Sequence, residues 1–243
     1  MTLTKSRLDS RTGAALAFGL AALGMGALVA LSLSIVRAGD PLVLFGVSAN
    51  DKVNRLVTYQ VLALLMAGVM AGVTARLVPK NFASYFRVGS LAAPAGAVRA
   101  LGIKGTSTWV RLGLTFSVSI SAVTAALVLL PVARDLSLTP NLVGLALLMA
   151  ASNAFVEEYI ARFQVVAALA GRVTAARIAL ICALLFGIPH YIGTPGGPVG
   201  VLAAGFLGWF LGKSVLETQG LGWAWFIHFV QDVIIFVAIL GTL

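Results

Sequence analysis

Apolar residues in this chain fall into seven long blocks separated by polar stretches. The blocks run approximately Gly13–Val36, Leu56–Ala75, Leu112–Val132, Leu142–Ala170, Thr174–His190, Val199–Leu216 and Leu221–Leu240. A helix needs about 20 apolar residues to cross the hydrocarbon layer of a bilayer, and these blocks approach or exceed that length. Backbone N–H and C=O groups in lipid must be bonded within the chain, so each block is predicted to be a helix. The pattern therefore predicts an all-α polytopic membrane protein of about seven transmembrane helices. The first block follows Lys5, Arg7 and Arg11 and resembles a secretory signal at first sight. At 24 residues it exceeds the apolar region of such a signal, which predicts a retained first helix. No internal repeat or low-complexity tract interrupts the series.

Composition agrees with this reading. Hydrophobic residues make up 60% of the 243 positions and charged residues only 10%, against roughly 25% charged in soluble domains. Mean hydropathy is +1.01. So few charges do not cover a water-facing surface, and lipid is the expected solvent for most of the exterior. The net charge of +9 would suit nucleic acid, but the basic residues are scattered between apolar blocks, as in the charge code of membrane topology. Nucleic acid is excluded as a partner on that ground. With the N-terminus cytoplasmic, thirteen basic residues fall on the inner side: Lys5, Arg7, Arg11, Arg76, Lys80, Arg87, Arg99, Lys104, Arg111, Arg162, Arg172, Arg177 and Lys213. Four fall outside: Arg37, Lys52, Arg55 and Arg134. The asymmetry predicts a multi-pass protein of the cell membrane with its N-terminus inside and its C-terminus outside. The longest connection, Arg76 to Arg111, lies on the basic side and reads either as a helix in the interface or as an irregular loop. Cys182 is the only cysteine, so no intrachain disulfide is possible.

Candidate chemistry is concentrated in the later blocks. Two of the three glutamates are adjacent in the fourth block, at Glu157 and Glu158. Ionisable groups within a span are costly and face a partner or a wet cavity. Glu158 and Arg162 are spaced i,i+4 and can form an ion pair on one helix face. Glu157 points about 100° away and shares its face with Asn153. One carboxylate is thus accounted for structurally, and the other is left free for chemistry. Both histidines also lie in apolar segments. His190 follows Phe186 by one turn, and Asp232 follows His228 by one turn, where a carboxylate can orient an imidazole.

Together these motifs resemble a known family. Glu157-Glu158-x-x-x-Arg162, Phe186-x-x-x-His190 and His228-x-x-x-Asp232 are similar, in order and in setting, to the three motifs of the CAAX-protease and bacteriocin-processing (CPBP, or Abi) family of intramembrane endopeptidases. The similarity runs from about Leu142 to the C-terminus, with a weaker echo at Leu101–Lys104. The third motif commonly ends in Asn, where this chain has Asp232. The resemblance implies hydrolysis of peptide bonds within the membrane, with Glu157 and His190 activating water. His228, supported by Asp232, would stabilise the oxyanion. Family members are described both as metal-dependent and as glutamate-type proteases. The preferred reading has no metal or cofactor; if zinc is used, Glu157, His190 and His228 would be its ligands. The substrate is expected to be a membrane-associated peptide or protein, of CAAX type or a peptide precursor.

Two regions are expected on this basis: residues 1–111 as N-terminal helices with a basic inner loop, and 112–243 as the protease core, with catalysis in the last four helices. The rival reading is a non-catalytic scaffold or a small transporter with a polar central cavity, since proton relays use the same residue types. Depth poses a difficulty. Glu157 sits mid-way along its block whereas His190 ends its own, so convergence needs a short fifth helix followed by a re-entrant stretch, or other boundaries. The run from Gly193 to Pro198 reads as an outer loop, with a re-entrant path as the alternative.

Overall fold

The computed structural model describes residues 10–37, 39 and 42–243; the basic residues Lys5 and Arg7 lie outside them. The chain is an all-α polytopic membrane protein. Seven of its described helical segments are long and apolar enough to cross a membrane: Ser10–Val36, Asp51–Leu77, Trp109–Val132, Pro140–Leu169, Ala175–Ile192, Gly197–Thr218 and Gly222–Gly241. Each overlaps one predicted block, because hydrophobic length is what a bilayer selects. We label the α-helical parts α1 (Ser10–Leu31), α2 (Asp51–Leu77), α3 (Pro79–Tyr85), α4 (Trp109–Thr124), α5 (Pro140–Glu158), α6 (Gln164–Leu169), α7 (Ala175–Gly187), α8 (Gly197–Thr218) and α9 (Gly222–Gly241). Side chains such as Leu23, Val69, Val118 and Leu202, in the middle of their spans, are exposed on the protein exterior. That is the surface expected where lipid replaces water.

Local sequence sets the helix ends. The Asn50, Thr139 and Thr174 side chains accept from the backbone N–H of Lys52, Leu142 and Arg177, capping α2, α5 and α7. Pro140 and Pro198 stand in first turns, where a missing N–H costs nothing. α5 passes into α6 through a π-helical turn, Tyr159–Phe163, and such turns are often found at functional sites. α7 tightens into a 3-10 turn over Ile188–Ile192.

The unequal lengths of these spans resolve the difficulty of depth. The span ending at Ile192 has 18 residues, whereas the one carrying Glu157 has 30, roughly 27 Å against 45 Å at the α-helical rise. A short fifth span ends well within the reach of the long fourth one, so His190 and Glu157, in the middle of the fourth span, can border the same space.

α7 and α8 form a close hairpin made possible by small residues. A Cβ on Gly208 would lie 2.7 Å from the Cys182 carbonyl oxygen, and one on Gly187 would lie 2.9 Å from the Cα of Gly205. Backbones approach this closely in membranes through glycine, gaining packing that lipid does not offer. α9 packs against α5 and α4, while α1 packs against α2 and α6.

The basic connection is part helix and part irregular chain. α3 is followed by loops with two isolated antiparallel bridges, Pro94 with Thr108 and Val98 with Ile103. This segment is tied across the turn between α8 and α9. Ser90 N–H donates to Thr218 O at 2.8 Å, Leu221 N–H to Arg87 O at 2.7 Å, and the Trp223 indole to Leu91 O at 2.9 Å. Gly89, at φ +83°, permits the contact, since a Cβ there would sit 2.6 Å from Thr218 O. Two of the basic residues counted on the inner side are ion-paired within spans: Arg162 with Glu158, buried in the π turn, and Lys213 with Glu217 on α8.

The helix contact yields a test. Gly208→Ala should destabilise the detergent-solubilised protein by about 1–3 kcal/mol, because backbone on α7 must shift to admit the methyl group. Gly26→Ala, where nothing lies within 4 Å, should leave thermal unfolding unchanged or slightly raised. Equal midpoints for the two variants would show that the hairpin contact is looser than described.

Candidate active site

The polar centre is built around the end of α5. Glu158 and Arg162 are almost fully buried and pair at 3.1 Å between Oε1 and Nη1. The same Glu158 oxygen accepts from His228 Nδ1 at 2.7 Å. A carboxylate accepts, so Nδ1 carries the proton and Nε2 is the nitrogen presented to the cavity. Glu158 is therefore more than the structural ion pair expected from spacing, because it also orients His228 from another span. His228 Nε2 lies 3.6 Å from Glu157 Oε2 and 3.5 Å from Asp232 Oδ1, so Asp232 stands beside the imidazole without taking its Nδ1.

α7 contributes the opposite wall. Its Phe186 carbonyl accepts from His190 Nδ1 at 2.7 Å, which leaves His190 Nε2 as the free nitrogen. The Phe186 ring lies between charged and polar groups. The Arg162 guanidinium carbon is 3.6 Å from its centre, the His190 ring 4.3 Å, and the His228 ring 5.4 Å edge-on. Stacking on an aromatic face is a favourable setting for a desolvated guanidinium. Glu157, Phe186, His190, His228 and Asp232 all line one cavity of about 290 Å³.

Further residues complete the polar network. Asn153 donates to Asp232 Oδ2 at 3.0 Å and accepts from Gln60 Nε2 at 3.3 Å, while Ser152 donates to Gln60 Oε1 at 2.9 Å. Gln231 holds α4, donating to Ser121 at 3.0 Å and accepting from Thr124 at 2.7 Å. Sequence reasoning passed over Gln60, Ser152, Gln231 and Arg37. For the first three the available signal was an uncharged polar side chain within an apolar block, which is weaker than an ionisable one. Arg37, at the cavity mouth, donates to the Ile192 carbonyl two residues beyond His190.

Among the described residues, no group of three His, Cys, Asp or Glu side chains has the spacing to hold a metal ion. Zinc ligands converge to about 2.0–2.2 Å from the ion. His228 Nδ1 is bonded to Glu158 and His190 Nδ1 to the Phe186 carbonyl, which leaves both Nε2 atoms to the cavity, that of His228 at 3.6 Å from Glu157 Oε2.

These residues fall in a segment that matches a family model described as type II CAAX prenyl endopeptidase Rce1-like, over residues 139–234. Residues 139–234 are an Rce1-like domain. The matched segment contains all three motifs, from Glu157 to Asp232. No curated protein and no solved structure matches the chain. This match, on a chain with seven apolar spans, supports a membrane-embedded endopeptidase activity of the general CAAX type.

The Rce1-like domain's buried ion pair can be tested directly. Arg162→Ala strands the Glu158 carboxylate and should cost about 3–5 kcal/mol. The yield of folded, monodisperse protein should fall, and Arg162→Lys should restore it only in part, for want of a planar group over Phe186. A fully stable Arg162→Ala protein would contradict the pairing.

Proposed function

We propose that the cavity hydrolyses peptide bonds by water attack, with Glu157 as general base and no metal in the step. The observation that carries this reading is the convergence of Glu157, His190, His228 and Asp232, from three spans, on one cavity. Water is held between the Glu157 carboxylate and His190 Nε2. As its oxygen bonds to the scissile carbonyl carbon, Glu157 takes the proton. Negative charge then develops on the carbonyl oxygen, and Nε2–H of the His228 imidazolium donates to it while Nδ1 stays on Glu158. When the C–N bond breaks, Glu157 passes its proton to the departing amine nitrogen. Asp232 accepts from Asn153 and, as a carboxylate, has no proton to donate. Its role in this reading is to steady His228, where an Asn would also donate to the oxyanion.

The division of labour follows the same reading. Residues 112–243 form the protease core and hold every reacting group, while the region 1–111 supplies walls and the basic connection. Substrates are membrane-associated peptides or proteins whose scissile segment can enter a cavity of this size.

Glu157→Gln should lower turnover of a membrane-associated peptide by roughly 10²–10⁴-fold with unchanged folding. Near-native cleavage by that variant would remove Glu157 from the mechanism. Activity should also survive a strong chelator, and the purified protein should contain no stoichiometric zinc. About one zinc per chain, with inactivation that added metal reverses, would overturn the metal-free step.

A further inference from the structure

The cavity is lined from one half of the helix bundle alone. The first, third and fifth spans contribute from their middles towards their C-terminal ends, as at Val36, Thr124 and His190, and the seventh from His228 onwards to Ile239. The second and sixth contribute from their N-terminal halves, as at Tyr59 and Ala203, and the long fourth span from its middle. In a bundle of seven alternating spans, these parts belong to the same membrane face. That face also carries Thr194 and Pro195 at the cavity mouth.

The opposite face is closed over the histidines and Glu157. The basic connection lies across it, bonded to the α8–α9 turn through Ser90, Arg87 and Leu91. Beneath it Phe82, Phe86, Tyr159 and Phe163 pack ring against ring, Phe86 and Phe163 at 5.2 Å between centres. A second cavity of about 310 Å³ opens on this side, but of the polar centre it reaches only Glu158. Neither histidine nor Glu157 lines it.

Charge tells which face is which. Setting aside Arg162 and Lys213, which pair with glutamates within their spans, the described part of the sealed face holds nine basic residues, Arg11, Arg76, Lys80, Arg87, Arg99, Lys104, Arg111, Arg172 and Arg177, against Arg37, Lys52, Arg55 and Arg134 on the open face. Lys and Arg near span ends stay on the cytoplasmic side. Resting on the protease reading above, we propose that the catalytic cavity opens on the non-cytoplasmic face of its membrane. Its substrate is then a membrane-anchored peptide segment presented from that face.

Labelling and cleavage test this separately. In the full chain with Cys182→Ala, single cysteines are placed by Thr194→Cys at the mouth and Ser84→Cys on the sealed face. A membrane-impermeant maleimide added to spheroplasts of a bacterial expression host should label the first and spare the second until the membrane is permeabilised. The reverse pattern would overturn the proposal. An acylated fluorogenic peptide added outside should be cleaved, with at least a 10²-fold loss in Glu157→Gln. Cleavage confined to inverted vesicles would sink the sidedness and leave the protease reading standing. Outside labelling of Thr194→Cys without Glu157-dependent cleavage from either side would keep the sidedness and remove the protease.

Discussion

The arrangement depends on keeping charge inside an apolar bundle. An isolated carboxylate or guanidinium taken out of water costs several kcal/mol even after relaxation, and lipid offers nothing to offset it. Glu158 meets this constraint by serving Arg162 on its own helix and His228 on α9 through one oxygen. Phe186 adds a face for the guanidinium from α7. Three spans are thereby fixed around one buried anion. The rotations of α5, α7 and α9 follow from it, and these rotations aim Glu157, His190 and Asp232 at a common space.

A division between the adjacent glutamates follows. They differ by about 100° of helix rotation, which turns Glu158 towards the packed interior and Glu157 towards the cavity. The π turn that begins at Tyr159 keeps Arg162 within reach of Glu158 while the chain continues as α6. Glu157 retains partial exposure, with its side chain 16% accessible against 1% for Glu158. Two chemically identical neighbours thus acquire different work from geometry alone.

Much of this was legible in the chain itself. The spans could be read because a bilayer selects hydrophobic length, and the Glu158–Arg162 pair could be read because helical spacing makes it local. What spacing could not express was the bond from Glu158 to His228, seventy residues away. The i,i+4 rule ranks partners on the same helix, so it favoured Asp232 as the group that orients His228. Tertiary packing gave Nδ1 to Glu158 and left Asp232 bonded to Asn153. The Gln60–Asn153–Asp232 chain was hidden for the same reason, its members coming from three spans. Lengths, by contrast, were underused. The short fifth block already implied that His190 need not lie at the far surface.

The position of α9 has a consequence for biogenesis. It packs against α5 and α4, which are made and inserted well before it, and it alone carries His228 and Asp232. A growing chain therefore places Glu157, Glu158, Arg162 and His190 in the bilayer while the site still lacks its second imidazole. On the proposed mechanism the site is complete only once the seventh span has docked, so the order of synthesis sets when hydrolysis can begin.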